Sequence, residues 1–284
     1  MKKYFTVLLL LFTCFSSSLI ARGHLVIIGG GERTDSIMKK IISLAGGNNA
    51  KIVIIPNASS EPLETAQYQA EEFRKFGAAN VEYILCSRET ADADSNLTKL
   101  NNATCVFFSG GDQTYLTRDL LGTSLFRKVQ DIYNNGGVVS GTSAGAAVMS
   151  KVMLTGNELV NKDSTVSFHT IQKGNVETVE GFGFVTKAVI DQHFIKRRRN
   201  NRLLSIILEH PSLPGIGIDE STCIIVNPDD TFEVLGENQV IIYDATQASE
   251  TKTDKNNNLS AHNLKMHILM SGDKYNLNTR EIIQ

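Results

Sequence analysis

The chain has 284 residues, of which 42% are hydrophobic and 20% are charged, a balance typical of a globular protein with a sizeable core. The formal net charge of −2 excludes a strong overall attraction to nucleic acid or to anionic membranes, so any basic site has to be local.

The first 21 residues differ in composition from the rest. Two lysines precede an apolar run over residues 6–15, and small residues lead up to Ala21. This layout predicts a secretory signal peptide cleaved near Ala21, and hence export to the periplasm or the outside of the cell. A membrane anchor would need roughly 20 apolar residues, which this run lacks. Lipid attachment at Cys14 is a weaker alternative, because Thr13 before it is a poor match to the usual small apolar residue.

Short apolar runs rich in β-branched residues alternate with stretches of helical spacing in the first two-thirds of the mature chain. The predicted strands lie at residues 25–28, 51–55, 81–85, 104–108 and 137–140. The predicted helices between them lie at residues 35–44, 63–76 and 125–134. This alternation predicts an α/β fold, a mostly parallel sheet with helices on both faces and its site at the carboxyl ends of the strands.

The later part of the chain is predicted to be less regular. Residues 151–187 are polar, and we expect loops or a small excursion near the site. They are followed by a strand ending at Asp191, a helix over about residues 195–210 and a strand at 215–219. Three more β segments are predicted after these, at 222–226, 231–235 and 239–243. These segments complete a main domain assigned to residues 22–247. Residues 248–284 are predicted to form a flexible link, 248–258, and one more β segment, 264–270.

Three cysteines would remain after cleavage, an odd and sparse set that cannot form a disulfide framework. Cys105 and Cys223 lie in apolar runs and are predicted to be buried core residues rather than reactive thiols.

The sharpest motif is GTSAG at residues 141–145, between a predicted strand and a helix-forming run. A serine in G-x-S-x-G at such a turn is typical of a nucleophile elbow, in which small neighbours let a strained turn close and expose the hydroxyl of Ser143. The N–H of Ala144 and the helix dipole would then favour the oxyanion of a tetrahedral intermediate. The same pentapeptide also suits a glycine-rich turn with a helix-capping serine.

A second glycine-rich turn, SGGDQ at residues 109–113, directly follows another predicted buried strand. Its glycines let the backbone approach a ligand closely, so the amide of Gly111 is a candidate for the second oxyanion donor. The alternative is a plain strand-to-helix turn with Asp112 as its cap.

The sequence DQHF at residues 191–194 ends another predicted strand and leads into a basic cluster. His193 lies where α/β sheets place their ligands, which makes it the candidate base for the Ser143 proton, although a lone histidine after a strand is more often structural. We interpret the arginines as a site for a substrate carboxylate, which suits the guanidinium fork. A solvated helix face or a nucleic-acid patch are the alternatives.

An acidic pair closes the predicted strand in GIGIDE, residues 215–220. Glu220 is the candidate carboxylate that orients His193, and its alternative is a turn carboxylate between two strands. Glu158 and Asp163 are other candidates for this role. Glu220 is favoured because it ends a core strand, whereas the other two lie in the irregular segment.

The sequence predicts no metal and no cofactor. The histidines are scattered without ligand spacing. The glycines Gly29 to Gly31 do not complete a dinucleotide-binding G-x-G-x-x-G, because Thr34 occupies the last glycine position.

Together, GGDQ, SGTSAGA, DQHFxxRxRxxRL and GIGIDE, in this order, resemble cyanophycinase and the wider S51 peptidase family, which includes aspartyl dipeptidases. The resemblance covers residues 25–240 approximately. It implies a fold like that of class I glutamine amidotransferases and a Ser-His-Glu triad at Ser143, His193 and Glu220. It also implies a substrate pocket that uses Asp112, Gln113, Gln192, Arg197, Arg199 and Arg202.

The resemblance implies an exported serine-type exopeptidase that hydrolyses β-aspartyl peptide links and releases β-Asp-Arg dipeptides from cyanophycin. The order Ser, His, Glu differs from the order in α/β-hydrolases, which argues against a lipase or esterase. The alternatives are a hydrolase of the same fold that acts on other aspartyl peptides or esters, and a non-catalytic peptide-binding protein. We expect neither nucleic acid nor a stable membrane anchor as a partner, and the sequence leaves a homodimer open.

Overall fold

The computed structural model describes residues 22–162 and 167–284. The predicted signal peptide over residues 1–21 and the alternative carboxylate Asp163 lie outside the described residues. Within the described ranges, no helix is long and apolar enough to cross a membrane.

The described residues form an alternating series of strands and helices, followed by a strand-rich C-terminal part. The strands are β1 (His24–Ile28), β2 (Lys51–Ile55), β3 (Asn80–Tyr83), β4 (Cys105–Phe108), β5 (Val138–Thr142), β6 (Val152–Glu158), β7 (Val176–Glu180), β8 (Val189–Gln192), β9 (Gly215–Ile218), β10 (Thr222–Val226), β11 (Thr231–Gly236), β12 (Val240–Asp244), β13 (Ser249–Thr253), β14 (Leu259–His262), β15 (Lys265–Leu269), β16 (Lys274–Asn276) and β17 (Glu281–Ile283). The helices are α1 (Asp35–Leu44), α2 (Pro62–Lys75), α3 (Asp94–Lys99), α4 (Gln113–Leu120), α5 (Ser124–Asn134), α6 (Ala144–Ala147) and α7 (Asn200–Glu209).

The larger sheet has a parallel part and an antiparallel part. Strands β1 to β5 are parallel and lie in the spatial order β3-β2-β4-β5-β1. On the other side of β1, the sheet continues through β10, β11, β16 and β17, which are antiparallel to their neighbours. The predicted α/β fold class is confirmed, and this antiparallel extension accounts for the extra β segments expected toward the C-terminus.

Helices cover both faces of the larger sheet because neighbouring strand residues alternate between two cores. Leu25 of β1 belongs to the core that contains the apolar sides of α4 and α5. Val26 belongs to the opposite core, with α1 and α2. Helix α1 buries Ile37 and Ile41, which lie one turn apart on the same side of the helix. The 3.6-residue period that indicated helices in the sequence therefore corresponds to the faces that are buried.

A smaller sheet has the order β15-β12-β9-β8, with β8 and β9 parallel. Helix α7 packs against it through Leu203 and Ile207. The N–H of His193, just after β8, donates to the carbonyl of Gly29, just after β1, at 2.7 Å. This bond joins the carboxyl ends of strands from both sheets, so the two sheets contribute to one site.

The C-terminal stretch, predicted as a link and one β segment, contains five strands, β13 to β17. Residues 248–258 contribute β13 and the turn that leads into β14, and these two strands pair as a hairpin. Strand β15 forms the edge of the smaller sheet, whereas β16 pairs with β11 in the larger one and aligns Tyr275 with Phe232. Pairings over such separations depend on distant partners, and the local pattern of residues does not encode them.

The C-terminal strands should contribute strongly to stability. The fully buried ring of Tyr275 packs on Phe232 with ring centroids 5.4 Å apart. We expect Tyr275→Ala to lower the free energy of unfolding by about 3–5 kcal/mol, because it leaves a cavity between the sheet and its last strands. Ile283→Ala, at an exposed position of β17, is the control and should change it by less than about 0.5 kcal/mol. Urea denaturation followed by circular dichroism measures both, and equal effects would mean that this segment packs loosely.

Candidate active site

Ser143 lies on the turn between β5 and α6, in a strained backbone conformation. Its φ is 54° and its ψ is −108°, a region that residues with side chains rarely adopt. The N–H of Ser143 donates to the carbonyl of Ile28 at 3.0 Å, which fixes the turn against the end of β1. The geometry is that of a sharp elbow, which presents the hydroxyl at the carboxyl edge of the sheet.

Ser143, His193 and Glu220 are linked by two hydrogen bonds. The Oγ of Ser143 lies 2.8 Å from Nε2 of His193, and Nδ1 of the same ring lies 2.6 Å from Oε1 of Glu220. A carboxylate can only accept, so Nδ1 carries the proton and Nε2 is left to accept from the serine hydroxyl. We call these three residues the candidate triad.

Three successive carbonyls, of the last residue of β1 and the two residues after it, hold the candidate triad in place. Ile28 accepts from the N–H of Ser143, Gly29 from that of His193, and Gly30 from that of Ser221, next to Glu220. The backbone from Ile28 to Gly30 therefore positions residues from three distant parts of the chain.

The glycines after β1 also make room for the candidate triad. A Cβ added at Gly30 would lie 2.3 Å from Cε1 of His193, and one added at Gly31 would lie 2.8 Å from Cβ of Glu220. Both distances are too short for any larger residue. Sequence reasoning considered these glycines only for dinucleotide binding and missed this role. Their position after a strand, at the edge where ligands bind, was the signal that could have indicated it.

Burial lowers the pKa of His193, and the charges of Arg197 and Arg199 lower it further, whereas the hydrogen bond that the imidazole donates to Glu220 raises it. The net direction is downward. The imidazole is therefore neutral near neutral pH and able to accept a proton at Nε2.

The two candidate oxyanion donors are in the glycine turn next to Ser143 and at the start of α6. A Cβ added at Gly110 would lie 3.2 Å from Cβ of Ser143, which places the glycine turn directly against the serine. Gly111 has a φ of 136°, and a Cβ there would lie 1.8 Å from the carbonyl oxygen of Ala58. Ala144 is the first residue of α6, so its N–H has no partner within that helix.

Asp112 and Gln113 are engaged within the protein. The Oδ1 of Asp112 accepts from the N–H of Thr114 at 2.8 Å and caps α4, as in the alternative interpretation of this turn. The buried amide nitrogen of Gln113 donates to the carbonyls of Leu154 and Thr155 in β6. Any contact of these two side chains with substrate stays a prediction.

The three candidate arginines lie in different environments. The Nε of Arg202 donates to Oδ2 of Asp191 at 2.7 Å, and its Nη2 donates to Oδ1 of that carboxylate, with both residues buried.

The Nη1 of Arg199 donates to Oε1 of Gln192 at 2.6 Å. Burial and the charge of Arg202 lower the pKa of Arg199 to about 10. Arg197 is exposed, and its charge acts on His193. Of the three, Arg197 is therefore the most accessible to a ligand.

Two acidic residues have structural roles that the sequence did not indicate. Asp191 balances the buried charge of Arg202 between β8 and α7. The Oδ1 of Asp219 accepts from the N–H groups of Ile195 and Lys196, which fixes the turn after His193.

Glu158, an alternative to Glu220, lies in a different hydrogen-bond network. Its Oε2 accepts from the N–H of Phe168 at 2.9 Å and its Oε1 from Asn175 at 2.8 Å. Both bonds stay within the excursion formed around β6 and β7. Across residues 22–162 and 167–284, no group of three or more His, Cys, Asp or Glu residues could hold a metal ion.

Comparison with known proteins gives consistent results. The model of peptidase family S51 matches residues 25–234. A cyanophycinase of Synechococcus elongatus is 36% identical over 272 residues, which cover 92% of this chain and 81% of that protein. A cyanophycinase of Nostoc sp. is 35% identical, covering 91% and 87%. The crystal structure of a peptidase from an acI-B1 Actinobacterium has a TM-score of 0.68 at 24% identity, covering 91% of this chain and 98% of that one. This last similarity supports the fold.

The titration of His193 should respond to the charge of Arg197. Because a nearby cation disfavours the imidazolium, we expect Arg197→Gln to raise the pKa of His193 and shift its titration to higher pH. Nuclear magnetic resonance of ¹⁵N-labelled histidine measures this, with the His193 signal identified by its loss in His193→Asn. Lys252→Gln removes a charge from exposed β13 and is the control. If His193 titrates at the same pH in Arg197→Gln as in the unsubstituted protein, the charge of Arg197 does not act on the imidazole.

The buried pair of Arg202 and Asp191 should be important for stability. Arg202→Met removes the nearer of the two arginines that pair with the buried carboxylate of Asp191, and we expect it to lower the free energy of unfolding by about 3–5 kcal/mol. Arg197→Met, at an exposed arginine, should change it by less than about 0.5 kcal/mol. Urea denaturation of both variants tests this. If both variants lower the free energy of unfolding by similarly small amounts, Arg202 serves ligand binding alone.

Proposed function

Since the chain belongs to peptidase family S51 and is a serine-type peptidase, we propose that it hydrolyses β-aspartyl peptides, cyanophycin among them, through Ser143, His193 and Glu220. The 2.8 Å contact between Oγ of Ser143 and Nε2 of His193 carries this proposal. A hydroxyl is a weak nucleophile by itself, and an adjacent neutral imidazole supplies the base that activates it.

In the proposed mechanism, Oγ of Ser143 attacks the carbonyl carbon of an aspartyl residue while Nε2 of His193 takes the hydroxyl proton. The amides of Gly111 and Ala144 stabilise the oxyanion of the tetrahedral intermediate. The imidazolium then gives its proton to the leaving nitrogen, and the C–N bond breaks. Water, activated by the same imidazole, releases the acyl group from Ser143. Glu220 holds the ring in the required tautomer throughout.

The preference for acidic substrates would come from the basic side of the site. A β-linked aspartyl residue keeps its α-carboxylate free, and Arg197 and Arg199 next to His193 are suited to bind it. In this proposal, Arg202 supports the site through Asp191.

The predicted signal peptide supports an exported enzyme. Such an enzyme would act in the periplasm or outside the cell, on cyanophycin or other β-aspartyl peptides released there.

Incubation of the protein with insoluble cyanophycin, and with β-aspartyl dipeptides and their α-linked isomers, tests this function by mass spectrometry of the products. We expect β-linked peptides to be cleaved in preference to the isomers. Ser143→Ala should fold normally, and its kcat should fall on the order of a million-fold. The kcat of Glu220→Gln should fall by a factor of roughly 10³ to 10⁴.

Glu158→Gln and Asp163→Asn are matched controls at the alternative carboxylates and should lower kcat far less than Glu220→Gln does. Activity of Ser143→Ala within tenfold of the unsubstituted protein would rule out the serine mechanism. An active Glu220→Gln together with an inactive Glu158→Gln would reassign the third residue of the triad.

A further inference from the structure

The third residue of the candidate triad lies where the chain passes from one sheet to the other. Strand β9 belongs to the smaller sheet and β10 to the larger one, and Glu220 lies in the turn between them. The chain passes back between β11 and β12, over residues 237–239, which we call the return segment. The two passages lie side by side, since the N–H of Asp219 donates to the carbonyl of Gln239 at 3.2 Å. The return segment is therefore in place to support the turn that carries Glu220.

Asn238, in the return segment, binds the main chain of Glu220 through its side chain. Its Nδ2 donates to the carbonyl of Glu220 at 2.8 Å. The N–H of Asn238 donates to Oγ1 of Thr222 at 2.8 Å, and this hydroxyl donates to the same carbonyl at 3.1 Å. Asn238 thus holds Glu220 directly and also through Thr222, which is fully buried.

The turn depends on such support because its backbone is strained. Ser221 has a φ of 52°, in the left-handed region that residues with side chains seldom adopt. Such conformations persist where the surrounding structure over-determines them. The N–H of Ser221 donates to the carbonyl of Gly30 at 2.9 Å, and its own carbonyl accepts from Glu237 at 3.0 Å. Without the bond from Asn238, a rotation of Ser221 toward an ordinary φ would reorient Glu220.

The position of Glu220 in turn determines the state of the base. Its side chain is 25% exposed, and Oε1 lies 2.6 Å from Nδ1 of His193. A flexible carboxylate at such a position can turn toward water, so its place depends on how firmly its backbone is held. The bond to Glu220 raises the pKa of His193, against the charges of Arg197 and Arg199 that face the same ring. A displaced Glu220 would therefore lower this pKa and release the tautomer.

We propose that Asn238 is a positioning residue for the candidate triad, whose side-chain amide fixes the backbone of Glu220 and keeps the carboxylate within hydrogen-bond distance of His193. The inference rests on the proposed function, in which Glu220 orients the base. Asn238 lies beyond residues 25–234, which the family model matches. It acts through Glu220 rather than on the reacting atoms.

Kinetics of Asn238→Ala and of the double variant with Glu220→Gln test this role. With cyanophycin at saturation and release of β-Asp-Arg followed by mass spectrometry, we expect Asn238→Ala to lower kcat about tenfold to a hundredfold. In the Glu220→Gln background, the same substitution should change kcat by less than about twofold, because the carboxylate through which Asn238 acts is already lost. Effects that multiply in the double variant would mean that Asn238 acts elsewhere, and would overturn the proposal.

The titration of His193 tests the proposal without a substrate. Asn238→Ala should lower the pKa of His193 and shift its titration to lower pH, because a displaced Glu220 stabilises the imidazolium less. Nuclear magnetic resonance of ¹⁵N-labelled histidine measures this shift, which is opposite in sign to that expected for Arg197→Gln.

Asn227→Ala is the matched control, at a half-buried asparagine beyond the other end of β10. The Nδ2 of Asn227 donates to Oγ1 of Thr231 at 3.0 Å, so both variants lose a side-chain hydrogen bond. Both should lower the midpoint of urea denaturation similarly, but Asn227→Ala should leave kcat and the His193 titration unchanged.

Two results would overturn the positioning role: equal changes of kcat and of the titration in Asn238→Ala and Asn227→Ala, or no change of either in Asn238→Ala. No cleavage of any peptide by the unsubstituted protein would overturn the proposed function, and the titration of His193 would still decide whether Asn238 positions Glu220.

Discussion

The backbone from Ile28, at the end of β1, to Gly30 is the constraint on which the candidate site depends. Its carbonyls accept from the backbone N–H groups of Ser143 and His193 and of the residue after Glu220, while Gly30 leaves space for the imidazole. These contacts bring together residues that follow the ends of β5, β8 and β9, and the last two of these strands belong to the smaller sheet. Because backbone atoms form these bonds, the geometry is held by main-chain structure, which is more rigid than long side chains.

The electrostatics of the site balance two opposing requirements. A base must be neutral to accept a proton, and it must be basic enough to hold it. Burial and the two nearby arginines favour the neutral form of His193, and Glu220 favours the charged form. The same arginines are the groups suited to a substrate carboxylate. A bound carboxylate would offset their charge next to the ring and make the imidazole a stronger base in the complex than in the free protein.

The sequence was sufficient to predict the fold class and to single out Ser143, His193 and Glu220, because short β-branched runs, helical periodicity and turns after strands are local signals. The structure places these three side chains in contact, and their roles stay predictions. The sequence did not indicate that Asp191 neutralises Arg202 or that Gly30 makes room for His193. Nor did it indicate that the side-chain amide of Gln113 donates hydrogen bonds to carbonyls of β6. Each of these depends on a partner from another element, and residue type alone does not reveal the partner.

The position of β1 has a consequence for how the chain folds. Of the strands in the described ranges it is synthesised first, yet it lies inside the larger sheet, between β5 and β10. Its register with β10 pairs Leu25 with Val226, which lies 201 residues further along the chain. Contacts this distant in sequence close large loops and slow folding. The nascent chain therefore leaves one edge of this apolar strand unpaired until β10 has been made, and chaperone binding to that edge during synthesis would prevent its premature aggregation.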